Sequence, residues 1–287
     1  MRHTHSLILA AALTFAPAGF ADDDSRHKED FRQTFQQAPG GRLEIASFNG
    51  GIEVVGWDQG TVEVTGVKYA REASDLSLVR VEITQSGNTV IARAIREGKC
   101  NNCGARFVVR VPRRTDLSRL KSSNGAVKVE GIDGIVDVGT SNGGIDVTNI
   151  AGDTTIRTSN GGVRVNGVRG ALEVQTSNGG IRGKVGEVGS RPVRLGTSNG
   201  AIDMIVEGAG TSEITASSSN GAVIMRLPAN ANARIEATTS SHESIHTDFD
   251  VQVRGTLSKG RLEGSIGNGG PLLRLTTSNG SIRILKQ

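Results

Sequence analysis

Two short motifs carry residue types able to do chemistry. His242-Glu243-Ser244-Ile245-His246 matches the H-E-x-x-H pattern of zinc proteases letter for letter. That chemistry needs a helix, where positions four apart converge on one metal with the glutamate beside the bound water. In a strand the two imidazoles stand roughly 13 Å apart, and no third ligand follows at a recognisable spacing. Thr239-Ser240-Ser241-His242 also has the letters of a degenerate copy of a tetrapeptide found throughout the chain, so the segment reads as a substituted turn. No metal site is assigned to it.

Cys100-Asn101-Asn102-Cys103 holds the only two cysteines. In an exported chain such a pair reads as a disulfide pinning a hairpin between Ile95 and Phe107. Half of a zinc knuckle, with His242 and His246 as candidate partners, and a redox pair at a helix N-terminus are the alternatives. No serine lies in a G-x-S-x-G elbow, and no histidine stands in a triad arrangement. Calcium-binding nonapeptides need a recurring Asp in the turn, where this chain has Ser-Asn-Gly. No catalytic residue and no cofactor is expected.

The elements that must position any site are repeats. Thr-Ser-Asn-Gly occurs at Thr140, Thr158, Thr176, Thr197 and Thr277, with looser copies around Asn49, Asn124 and Asn220. Asn124, Asn142, Asn160 and Asn178 are 18 residues apart, and Asn178, Asn199 and Asn220 are 21 apart. A fixed period of this size means stacked units that bury their apolar faces only against neighbours. Asn49, Asn124, Asn142, Asn160, Asn178, Asn199, Asn220 and Asn279 are read as structural turns, with Asn-Gly supplying positive φ.

Around each turn the apolar positions alternate with period two. The fourth residue before the Asn is Val138, Ile156, Val174, Leu195, Ala216 or Leu275, and the third after it is Val127, Ile145, Val163, Ile181, Ile202, Val223 or Ile282. Each unit is therefore two strands with one buried face, and the Thr two before the Asn shares that face. An all-β fold follows. A helical pattern fits only Lys68 to Leu78, and weakly. Asn-Gly between alternating strands also suits an antiparallel meander. The outward residues Lys128, Asp146, Arg164, Arg182 and Asp203 favour a β-solenoid instead, because stacked coils would set mostly unlike charges side by side.

Composition bounds the rest. Residues 1–21 have a charged start, the apolar run Leu7 to Phe15 and a small-residue end before Asp22, the pattern of a secretory signal peptide. Residues 22–40 read as a flexible lead-in, 41–118 as an N-terminal β region capping the stack, and 119–287 as regular repeats. No later segment is apolar for long enough to span a membrane. A net charge of +4 with interspersed signs, and only 3% aromatics, argue against nucleic acid and against a sugar site built on aromatic faces. Gly at 39 of 287 reads as turns. Trp57 and Tyr69 read as cap packing.

Three stretches resemble a known family. Gly41-Arg42-Leu43-Glu44-Ile45 through Asn49-Gly50-Gly51-Ile52-Glu53-Val54 is similar to its opening strand pair. Phe107 to Pro112 running into Thr115-Asp116-Leu117 is similar to its strand before the first coil. Gly264 to Pro271 and then Leu273 to Ile282 is similar to its closing coils. The family is the bacterial "putative adhesin" group of Asn-Gly β-strand repeat proteins, a domain of unknown function. The resemblance covers nearly all of the chain after residue 21, and implies a right-handed, single-stranded β-helix and an envelope location.

The functional expectation is an exported, periplasmic, non-enzymatic scaffold or binding surface whose partner is an envelope protein or polymer, with secretion or surface display as the alternative location. A partner in an envelope stress pathway and, further off, a polysaccharide-acting enzyme are the rival readings. The enzyme would need a cluster of carboxylates on adjacent coils.

Overall fold

A computed structural model describes residues 27–186, 191–208, 212–240, 244–253, 258 and 260–287. The signal-peptide reading of residues 1–21 lies outside them. The repeats fold as coils of two strands, one leading into each Asn-Gly corner and one leaving it. The approach strands form a 13-stranded sheet and the departure strands a 12-stranded sheet. Strands of successive repeats pair in parallel and in register: Val138 opposes Ile156, which opposes Val174, and Asn142 opposes Asn160. Parallel pairing excludes the antiparallel meander for the repeats. Among the described residues antiparallel pairs occur only towards the two ends, among them Val79–Ser86 with Thr89–Arg96 and Ala233–Thr239 with Arg261–Ile266.

The core lies between the two sheets. Val127, Ile145, Val163, Ile181, Ile202, Val223 and Ile282 stack in one buried row, and Leu120, Val138, Ile156, Val174, Leu195, Ala216 and Leu275 face them from the other wall. Each row is the inward set of a pleated strand, repeated at the strand spacing of about 4.8 Å. Helix is confined, among the described residues, to the single turn Ala73–Leu76.

Chain order and stacking order differ at both ends. The coil of Gly41–Ser47 and Ile52–Trp57 lies between the coil of Thr89–Arg96 and Gly104–Pro112 on its outer side and that of Thr115–Asn124 and Val127–Ile132 on its inner side. At the other end Leu272–Asn279 and Ile282–Lys286 insert between Ile214–Asn220 with Val223–Leu227 and Ala233–Thr239 with Ile245–Thr247.

Three expectations need correction here. The lead-in contains a ten-residue strand, His27–Gln36, paired antiparallel with Thr61–Ala70. It is anchored by Phe31, whose ring meets Phe107 edge-on at 5.4 Å, and polar composition hid that anchor. The boundary placed after residue 118 falls inside the strand Thr115–Asn124. Finally, of the corner glycines 50, 125, 143, 161, 179, 200, 221 and 280, only Gly50 has positive φ, and none of the corner asparagines has.

Glycine is required at these corners for another reason. A Cβ on Gly161 would sit 1.9 Å from the Gly143 carbonyl oxygen of the preceding coil, and one on Gly179 2.0 Å from that of Gly161. The left-handed residue is instead the next-to-last of three departure strands: Gly131, Asn149 and Gly167, with φ of 71°, 55° and 71°. These are also 18 apart. In the next coil Lys184 and Val185 pair with Asn166 and Val168, so the extra residue is absent. The departure strand of that coil ends at Val185 and the next approach strand begins at Val193, which gives the 21-residue period.

Candidate functional site

Each corner is held by two hydrogen-bond ladders. The buried Thr140 donates to the Gly125 carbonyl at 2.9 Å, Thr158 to that of Gly143 at 3.1 Å and Thr176 to that of Gly161 at 3.0 Å. Thr197, Ser218 and Thr277 repeat the contact, at 2.9 Å each. On the outside the asparagine side chains chain together: Asn142 Nδ2 donates to Asn124 Oδ1 at 2.7 Å, and Asn160, Asn178 and Asn199 each donate to the preceding Asn at 2.8 Å. Asn220 and Asn279 continue it at 2.9 Å. Asn49 leaves the ladder and donates to the Cys103 carbonyl at 2.8 Å.

One position before the Asn of every corner except that of Asn49, where Phe48 stands, is a serine with its side chain outward. Ser123, Ser141, Ser159, Ser177, Ser198, Ser219 and Ser278 are exposed and follow one another coil by coil. The fixed backbone on both sides of each serine makes a rigid row of hydroxyls along the stack. Beside this row runs a groove of about 650 Å³, floored by Gly139 and Gly196 and bounded by Lys121, Arg157 and Gln175. Its lining includes one carboxylate, Asp137, 4.0 Å from Arg157. Glycoside hydrolysis by the common mechanism uses two. The groove and its outward serine row were not among the sequence expectations. The signal was present in the seven serines at constant phase and the glycines three before Asn142 and Asn199.

The departure sheet carries the charges used to choose the stacked topology. Asp146 faces Lys128 and Arg164 in register and pairs with Arg164 at 3.3 Å. Lys128 pairs with Glu53 at 3.5 Å. Arg164 and Arg182 stand side by side, and Asp203 opposes Arg182 yet binds Arg226. On the other sheet Glu173 opposes Arg194 but bonds Arg157, at 2.9 Å.

The chemical motifs are dispersed. His242 and Glu243 lie outside the described residues. His246 is exposed in the strand Ile245–Thr247, paired with Ile282–Lys286, and its Nε2 is 3.3 Å from Asp248 Oδ1. A strand at that point removes the helical convergence a zincin requires. Cys100 and Cys103 stand at disulfide distance, with Cα atoms 6.0 Å apart. They close the corner between Thr89–Arg96 and Gly104–Pro112, which belong to different sheets, so the expected hairpin is instead one coil of the stack. His246 is at the opposite end of that stack and cannot join them in a zinc knuckle. Trp57 donates from Nε1 to the Thr61 carbonyl at 2.7 Å with Arg110 over its ring, and Tyr69 is buried. Arg113, hydrogen-bonded to Asp58 at 2.7 Å, has its pKa raised by that bond. Among the described residues no helix is long and apolar enough to cross a membrane.

Several solved structures are similar. A "putative cell adhesion protein" from Clostridium sporogenes aligns with TM-score 0.31 and 10% identity over 91% of this chain and 100% of that one. A "putative adhesin" from Bacteroides fragilis aligns with TM-score 0.35 and 14% identity over 90% and 97%. A "putative lipid binding protein" from Parabacteroides distasonis aligns with TM-score 0.27 and 12% identity over 90% and 96%. Among curated proteins none matches the chain. The Toastrack DUF4097 family model matches residues 37–285, and the chain belongs to that family.

Proposed function

We propose that the protein is an exported, periplasmic, non-enzymatic β-solenoid, wound right-handed, that serves the cell envelope as a scaffold or adhesin-like binding surface. The observation that carries this reading is the rigid row of outward serines beside the groove of about 650 Å³ that crosses successive coils. Backbone, threonine or serine, and asparagine ladders fix the coils whose corners carry the serine row, so the face is presented without reorganisation on binding, which keeps the entropic cost of association low. Affinity is then spread over many equivalent positions. The Cys100–Cys103 pair fits an oxidising compartment.

The test is capture from envelope extracts by the purified protein, alongside glycan and lipid arrays. A saturable envelope partner whose binding is lost when Ser159 and Ser177 are replaced together by leucine supports the reading. Saturable turnover of any polysaccharide by the purified protein overturns the non-enzymatic part. Retention of the protein in the cytoplasm overturns export.

A further inference from the structure

Gly139 and Gly196 sit in mid-strand with no steric need for glycine. Neither has positive φ. A Cβ on Gly139 would come within 3.4 Å of the Arg157 carbonyl, and one on Gly196 within 3.8 Å of Ser217 Oγ, ordinary contact distances. The corner glycines, by contrast, have room for none. A glycine inside a strand weakens it and marks places where something approaches the backbone closely. These two make the floor of the groove.

Both belong to one outward column of the approach sheet. Strand register runs Arg93, Ala46, Lys121, Gly139, Arg157 from coil to coil, and on through Gln175 to Gly196. A cation therefore stands on alternate coils, roughly 9.6 Å apart or two strand spacings, with a small residue between. A second depression, of about 200 Å³, lies over Ala46 and is walled by Arg93 and Arg119. Arg93, Arg119 and Lys121 are exposed and have no ion-pair partner among the described residues, whereas Arg157 pairs with Glu173 at 2.9 Å. The carboxylates facing the two depressions are Glu44 and Asp137. Glu82, opposite Arg93 in register, is held by Arg80. Cations are in excess along the track.

We infer that this column is a docking track for an extended anionic polysaccharide lying along the stack. Its anionic groups meet Arg93, Lys121 and Arg157, and its hydroxyls meet the Ser141, Ser159 and Ser177 row. The inference rests on the binding-surface reading above and names its ligand class. The lining of neither depression includes an aromatic ring, so base stacking does not recommend a single-stranded nucleic acid. A peptide strand adding to a sheet uses its edge, and the track runs across a face.

The experiment measures binding of the purified full chain to polygalacturonate, heparin and neutral dextran at low and at physiological salt. Two variants accompany it: Arg93→Gln/Lys121→Gln, which removes two cations free of ion pairs, and Gly139→Gln, which fills the groove floor. Polygalacturonate or heparin should bind, dextran should not, and each variant should weaken binding by about tenfold while the melting temperature holds. If Gly139→Gln unfolds, the charge variant decides alone. Equal binding of dextran, binding untouched by the charge variant, or no binding of either polyanion overturns the inference. In the last case a saturable envelope protein or neutral glycan leaves the scaffold reading standing, so the two failures are distinguishable.

Discussion

The side-chain amide of Asn142 donates to Oδ1 of Asn124 at 2.7 Å, although the two residues are 18 apart in the chain. Every interior asparagine of the ladder both donates and accepts in this way, so its loss breaks two bonds at once. The ladder lies on the exposed side of the corner, where each bond competes with water and contributes modestly.

Asn160→Ala removes its donation to Asn142 and its acceptance from Asn178, both at 2.8 Å. We expect a destabilisation of roughly 1–2 kcal/mol in denaturant unfolding. Ser159→Ala, one position earlier and pointing outward, should change stability by less than about 0.5 kcal/mol. Equal effects from the two would mean that the asparagine bonds carry no net stability.

The corner glycine and the groove glycine should respond oppositely to one added methyl. Gly161→Ala drives Cβ to 1.9 Å from the Gly143 carbonyl, in a place where backbone on both sides is fixed. It should cost more than about 3 kcal/mol or prevent folding, as other severe backbone clashes do. Gly196→Ala meets nothing nearer than 3.8 Å and should stabilise by about 0.5 kcal/mol, since alanine loses less chain entropy. Thermal melts of the two variants check both signs.

The contrast between those glycines shows where sequence reading succeeded and stopped. Val138, Thr140 and Ile145 were legible as inward positions because a pleated strand has a period of two and one buried face. Asn142 and Gly143 were legible as a corner, but for a mistaken reason: glycine is needed by the neighbouring coil, a contact between residues 18 apart that no local φ preference encodes. The true left-handed positions, Gly131, Asn149 and Gly167, share the same period and were readable as Gly or Asn at constant phase. The groove was legible only in part: Gly139 and Arg157 share one phase of the 18-residue repeat, but a small residue opens a groove only once the register sets it between longer side chains of neighbouring coils. The exchange of coil order at the ends was not legible, since it depends on which edge each segment finds.

The cysteine pair should stabilise the first coils rather than the whole stack. It closes a loop of sequence separation 3, for which chain-entropy bookkeeping gives about 2 kcal/mol. Asn49 donates to the carbonyl of Cys103, so loosening that corner also loosens the coil above it. In Cys100→Ser/Cys103→Ser, hydrogen exchange should quicken in 41–57 and 89–112 while 136–178 keeps its protection, because each coil contacts only its neighbours. The wild-type protein should react with a thiol reagent only after reduction. Free thiols in the unreduced, unfolded chain would overturn the pairing.

The last coil in sequence is an interior coil in space. Leu272–Asn279 pairs on one side with Ile214–Asn220 and on the other with Ala233–Thr239, and Ile282–Lys286 does the same in the second sheet with Val223–Leu227 and Ile245–Thr247. Removing residues 271–287 therefore differs from shortening a stack at its tip. It opens parallel edges on Ile214–Asn220 and Val223–Leu227, and strips the terminal coil of the neighbour that connects it to the rest. Unpaired edges of this length recruit other chains. The truncated protein should self-associate in size-exclusion chromatography with light scattering, and exchange should quicken first in 233–266. Adding a peptide of residues 271–287 in trans should restore the full-length elution position, since it supplies both missing strands with their Thr277 and Asn279 ladder bonds. A truncated chain that stays in the full-length protein's association state and protects 233–266 normally would show that the terminal coil docks without the inserted one, and that the insertion does not order the end of the stack.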